Sequence, residues 1–135
     1  MNVRSLTLFT LSAALVSAAT AVHAEEPIDI NALSKSDLAG ILGTYDIQDG
    51  TGRKHCRVVL KQDYTIGGYQ IEVDPKCEKV FPVMADISAW RLMEDWVIVL
   101  ADPLRKERIR FYTPDNTYVA EPETDGISTI VKLTR

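Results

Sequence analysis

From Gly43 onward the chain is cut by turn residues every few positions, and between the cuts apolar and polar residues alternate. That pattern suits short, half-buried strands and excludes long helices. Tyr45 and Ile47 alternate before Asp49-Gly50-Thr51-Gly52, and Cys56, Val58 and Leu60 then share one face. Tyr69, Ile71 and Val73 follow, stopped by Asp74-Pro75. A less regular stretch carries Cys77 and Phe81-Pro82. Further strands are predicted over 87–92, 96–101, 107–112, 117–121 and 127–133, separated by Met93-Glu94-Asp95, Asp102-Pro103, Thr113-Pro114-Asp115-Asn116 and Asp125-Gly126. Few connections can hold a crossover helix, so these eight strands are expected to be antiparallel neighbours. Closing them on themselves removes the exposed edges and leaves an interior that side chains can fill. The predicted fold is all-β, an eight-stranded antiparallel up-and-down β-barrel with a short N-terminal helix and an extended arm. An open sandwich is the second arrangement.

The helix is expected within 33–42. Ser34 can cap it, Asp37 stands three residues on, and Leu38, Ile41 and Leu42 share one face before Gly43 ends it. Ahead of it, residues 25–31 have no period and contain Pro27 and three carboxylates, which reads as an arm with few core contacts. Further upstream, Arg4 precedes an uncharged apolar run that ends at Val22-His23-Ala24. A charged start, an apolar middle and a small-residue end make a secretory signal. The apolar stretch is short for a membrane span. The expected organisation is a signal peptide over 1–24, an arm over 25–32 and a barrel over 33–135, exported to the periplasm after cleavage behind Ala24.

Removing residues 1–24 takes Arg4 alone among the charged groups, so the formal charge moves from −4 to −5. A chain this acidic has no broad attraction to nucleic acid or to anionic lipid. The basic run Arg105-Lys106, Arg108 and Arg110 is interrupted by Glu107 and reads as a solvated strand face. Cys56 and Cys77 are the only cysteines, and an even pair in an exported chain is expected to form a disulfide. A zinc site built from these two thiols and His55 would lack a fourth ligand. No metal site and no cofactor are expected.

Catalysis finds little support. His55 is the only histidine outside the signal, and no HExxH, GxGxxG or phosphate-loop sequence is present. Carboxylates are plentiful, but no pair stands out, so no catalytic residue is assigned and the chain is expected not to be an enzyme. Trp90 reads as core. Trp96, beside a turn, is as well suited to a surface as to a core.

Taken in order, several segments resemble a known family. They are Ser36-Asp37-Leu38-Ala39-Gly40-Ile41-Leu42, Gly43-Thr44-Tyr45, His55-Cys56-Arg57-Val58-Val59-Leu60, Cys77, Phe81-Pro82, Trp90-Arg91, the strand around Val97, and Phe111. The chain resembles the periplasmic inhibitors of serralysin-type metalloproteases, the alkaline-protease inhibitor family, across most of 33–135. The resemblance implies a barrel with one disulfide, on Cys56 and Cys77, and an N-terminal arm that enters the protease's substrate cleft with its terminal amine near the catalytic zinc. The arm would comprise Glu25, Glu26, Pro27, Ile28, Asp29 and Ile30. It departs from the family pattern in being longer and acidic, where the family's begins with small neutral residues. The expected function is inhibition of a secreted zinc metalloprotease by a monomeric protein. The alternatives are a barrel carrying a small apolar ligand and a non-inhibitory domain of the cell envelope. Against the carrier stand the bulky inward positions Leu60, Ile71, Trp90, Ile98, Phe111 and Leu133, large enough to fill a short-stranded barrel.

Overall fold

The computed structural model describes residues 13–19 and 25–134. The charged start of the predicted signal and its cleavage point lie outside them. No helix among the described residues is long and apolar enough to cross a membrane.

Eight strands are present: β1 (Gly43–Asp49), β2 (His55–Thr65), β3 (Gly68–Val73), β4 (Ala89–Met93), β5 (Val97–Ala101), β6 (Glu107–Tyr112), β7 (Tyr118–Thr124) and β8 (Ile127–Lys132). Each pairs antiparallel with the next, and β8 returns to β1, with Tyr45 opposite Lys132 and Ile47 opposite Ile130. This is a closed up-and-down barrel, as the alternation predicts, and the sandwich is set aside. Inward positions carry the bulk: Tyr45, Ile47, Leu60, Trp90, Leu92, Ile98, Leu100, Ile109 and Phe111 are fully buried. Ile71 is only partly buried, packed against the core. Leu133 departs from its expected inward place. It lies just past β8, half-buried, where its amide donates to the Thr44 carbonyl.

Helical pieces close both ends. Helix α1 (Lys35–Ile41) precedes β1, and the Ser34 hydroxyl accepts from the Asp37 amide at 3.0 Å, the predicted cap. Its last turn is held by Lys132, whose ammonium donates to the Ala39 and Gly40 carbonyls, a cation at the negative end of the helix. At the other end the β3–β4 connection forms α2 (Cys77–Val80) and a 3-10 turn over Pro82–Asp86, burying Phe81, Val83 and Met84. Four residues are too few to show a helical period, which is why the sequence reads only as irregular there. Cys56 of β2 and Cys77 of α2 are joined with their Cα atoms 5.2 Å apart, stapling this plug to the barrel wall.

The seam between β3 and β4 is the thinnest in the barrel's first half. Only Tyr69–Trp90 and Gln70–Ala89 pair across it, whereas five residue pairs join β4 to β5. Gly68 opens β3 at φ +154, and a Cβ there would overlap the Trp90 carbonyl oxygen and come 2.8 Å from the Arg91 Cγ. The backbones approach so closely that no other residue fits. Beyond Gly68 the exposed edge of β4 is taken up by the N-terminal segment.

Candidate functional site

Residues 25–30 continue the line of β3 along β4. Pro27 bridges antiparallel to Met93, the Ile28 amide donates to the Leu92 carbonyl at 2.7 Å, and the Glu94 amide donates to the Glu26 carbonyl at 3.0 Å. Pro27 has no amide hydrogen to give, so it sits where the ladder asks none of it. The Glu25 carboxylate pairs with Arg110 of β6. Arg110 also holds Glu107 and lies over the Tyr112 ring, 5.7 Å from its centroid. Glu107 first and Glu25 after it push the already basic guanidinium further up, so it stays charged.

The inner end of the segment is fixed more firmly. Ile30 is fully buried and its amide donates to the Tyr69 hydroxyl at 3.1 Å. Asp29 caps the turn Ile30–Ala32 by accepting from the Asn31 amide, and its carboxylate also accepts from the hydroxyls of Tyr64 at 3.0 Å and Tyr69 at 3.4 Å. Gln62 donates to the Asn31 side chain at 2.7 Å. Tyr64, Tyr69 and Trp90 form a tilted row with centroids 5.1 and 5.4 Å apart, and Ile30 sits at its edge. Burial pushes the Tyr69 hydroxyl above the usual tyrosine range, opposed by the Ile30 hydrogen bond.

The six arm residues of the sequence reading therefore divide into two groups. Glu25, Glu26 and Pro27 lie at the surface, held by one main-chain hydrogen bond, through the Glu26 carbonyl, and one ion pair. Ile28 is half-buried against the core, and Ile30 belongs to the core itself. The alternation Ile28-Asp29-Ile30 is the signal that marks this inward turn. The residues that hold the arm, Tyr64, Tyr69 and Arg110, carry no local signal, because they lie 35 to 85 positions away in sequence.

Two features flank the arm. Asp95 and Trp96 follow Glu94 with φ of 60 and 62, both left-handed, and this turn lifts Trp96 to 38% exposure. Trp96 borders a groove of about 430 Å3 with Ser36, Asp37 and Gly40 of α1 and with Asn116 and Tyr118. On the arm's other side lies a pocket of about 340 Å3 walled by Pro27, Ile28, Tyr64, Tyr69, Arg91 and Arg105.

His55 stands at the far end of the barrel. Its Nδ1 lies 3.1 Å from an Asp46 carboxylate oxygen, and Asp46 also accepts from Gln48. Among the described residues no serine hydroxyl joins this pair, and both sulfurs are committed to the disulfide. Nor does any cluster of metal-binding side chains occur among the described residues.

A comparison with curated proteins finds no match. A family model described as protease inhibitor Inh matches residues 34–132. The match runs from the cap of α1 to the end of β8, the whole of the closed barrel, and so the chain belongs to the protease inhibitor Inh family.

Proposed function

We propose that the protein is a non-enzymatic, monomeric inhibitor of a secreted zinc metalloprotease, exported to the periplasm with loss of residues 1–24. In this reading residues 25–28 enter the substrate cleft, and the terminal amine of Glu25 is directed at the protease's zinc. Family membership supports inhibition. The observation that carries the arm mechanism is the extended segment at the barrel's rim, hydrogen-bonded along one side only. An extended strand with a free edge is what a protein groove recognises by main-chain pairing.

Entry requires residues 25–28 to leave β4, and the magnitudes permit it. A surface ion pair contributes up to about 1 kcal/mol and a main-chain hydrogen bond about 0.5–1.5. Exposing the half-buried Ile28 adds about 1 kcal/mol, so release costs at most about 5 kcal/mol, well below the free energy of a nanomolar complex, about 12 kcal/mol. Ile30 and Asp29 stay behind as the hinge. The rigid barrel then presents a short segment with little left to order, which limits the entropy lost on binding.

The test is a panel of metallo-, serine, cysteine and aspartic proteases assayed with the protein beginning at Glu25. Inhibition confined to metalloproteases is the expected result. Adding one residue before Glu25 is expected to weaken that inhibition by displacing the amine. Inhibition of serine proteases alone would refute the metalloprotease assignment.

A further inference from the structure

The pocket beside the arm is lined by two arginines, Arg91 and Arg105, and by no acid. Arg91 projects outward from β4 and donates to the Arg105 backbone carbonyl at 2.8 Å, which brings its guanidinium to the β5–β6 turn. Its Nε is buried and has no protein acceptor among the described residues. Arg105 sits on that turn at φ 66, a left-handed conformation that sets it against Gly67, 3.6 Å from where a Cβ would stand. Among the described residues neither arginine has a carboxylate within ion-pair reach. The nearest acid of the arm, Asp29, is engaged by Tyr64, Tyr69 and the Asn31 amide.

We infer that this pocket binds a carboxylate, supplied by an Asp or Glu side chain of the protease that holds the arm; this rests on the inhibitory reading above. The chemistry of the walls selects that group. A guanidinium presents a planar fork that matches a carboxylate, and such charge-assisted bonds are the stronger class. The buried Tyr69 ring stays in the lining when the arm leaves β4 and excludes water on that side, which strengthens a pair made there. The occupant follows from continuity: Pro27 and Ile28 line the pocket while the arm lies on β4, so a protein that draws the arm off β4 is brought against the lining that stays, Tyr64, Tyr69, Arg91 and Arg105. On a chain of net charge −4 this is also a place where an acidic segment meets attraction instead of repulsion.

The test has two arms. Amide spectra of the purified protein are followed during titration with the N-methylamides of N-acetyl-aspartate and N-acetyl-asparagine, whose α-carboxyls are blocked, and with inorganic phosphate. The aspartate derivative is expected to shift the Gly67, Gly68 and Arg105 signals, the asparagine derivative is not, and Arg105→Gln is expected to abolish the response. Equal shifts from phosphate, or none from the aspartate derivative, would overturn the carboxylate assignment. In the second arm Arg105→Glu, at an exposed position where folding is not at risk, is expected to weaken protease inhibition by about tenfold or more. Unchanged inhibition by that variant would overturn the protease as the source of the carboxylate. Failure of the wild-type protein to inhibit any protease would do the same, while the titration still decides for or against the site itself.

Discussion

The Tyr69 hydroxyl accepts a hydrogen bond from the Ile30 amide across 39 residues of chain, and this contact joins the N-terminal arm to the barrel wall. Both residues are buried, so the amide has no water to turn to if the hydroxyl is lost. Tyr69→Phe keeps the ring in its row with Tyr64 and Trp90 and removes only the oxygen. It is expected to destabilise the protein by about 1–3 kcal/mol, the cost of an unsatisfied buried donor. A fall in Tm of several degrees, with an unchanged far-ultraviolet spectrum, is the outcome to look for. An unshifted Tm would mean that this hydrogen bond contributes nothing to stability.

The disulfide admits a second test. Cys56 and Cys77 are 21 positions apart, and closing a loop of that length contributes about 3 kcal/mol on the chain-entropy account. Reduction is expected to lower Tm by on the order of 10 °C for a domain of this size. Titration of the native protein should find no reactive thiol, because both sulfurs are held in the disulfide. Two reactive thiols in folded material would contradict the bond.

Much of this architecture was legible because alternation reports which face is buried. The run Cys56-Val58-Leu60 and Phe111 point inward as read, and Ser34 caps α1 as read. What escaped was whatever depends on distant partners. Arg110 reads as one charge in a solvated strand, yet it binds Glu25 from 85 positions away. Residues 25–31 read as unpatterned, since a segment paired along one edge needs only two apolar side chains, Ile28 and Ile30, to be fixed. The strand boundaries near Trp96 shifted by a residue because left-handed Asp95 and Trp96 carry no glycine to announce the turn.

Stability should fall on the alkaline side. Burial raises the hydroxyl pKa values of Tyr45, Tyr69 and Tyr118 above the ordinary value of about 10. Tyr45 also donates to the Ile41 carbonyl at 2.8 Å, a bond that only the neutral hydroxyl can make. Above pH ~10 the unfolded chain has lost these protons while the folded one retains them, so stability decreases as pH rises. Below that pH both states are protonated and the contribution is fully present. Tm is expected to be insensitive to these groups up to pH ~9 and to drop beyond ~10, with a shallower drop in Tyr45→Phe. Identical alkaline slopes for the two proteins would remove Tyr45 from the account.

The arm itself gives the decisive functional prediction. Deleting residues 25–28 removes the segment proposed to enter the cleft but leaves Ile30, Asp29 and the Tyr69 contact in place. Stability is expected to fall by about 2–5 kcal/mol, from the half-buried Ile28, two rim hydrogen bonds and the Glu25–Arg110 ion pair. Inhibition is expected to weaken by about a hundredfold or more, since an interface of this kind concentrates its free energy in few residues. Arg110→Ala should act in the opposite sense. It leaves Glu25 without its partner, lowers the cost of releasing the arm by up to about 1 kcal/mol, and so tightens inhibition by up to about fivefold. Measuring both variants separates an arm that must detach from one that works in place, because only the former gains from losing Arg110. If the trimmed protein inhibits as well as the full one, the arm is not the inhibitory element. Binding would then fall to the rim, where Trp96 and the turn at 113–116 flank the same end of the barrel.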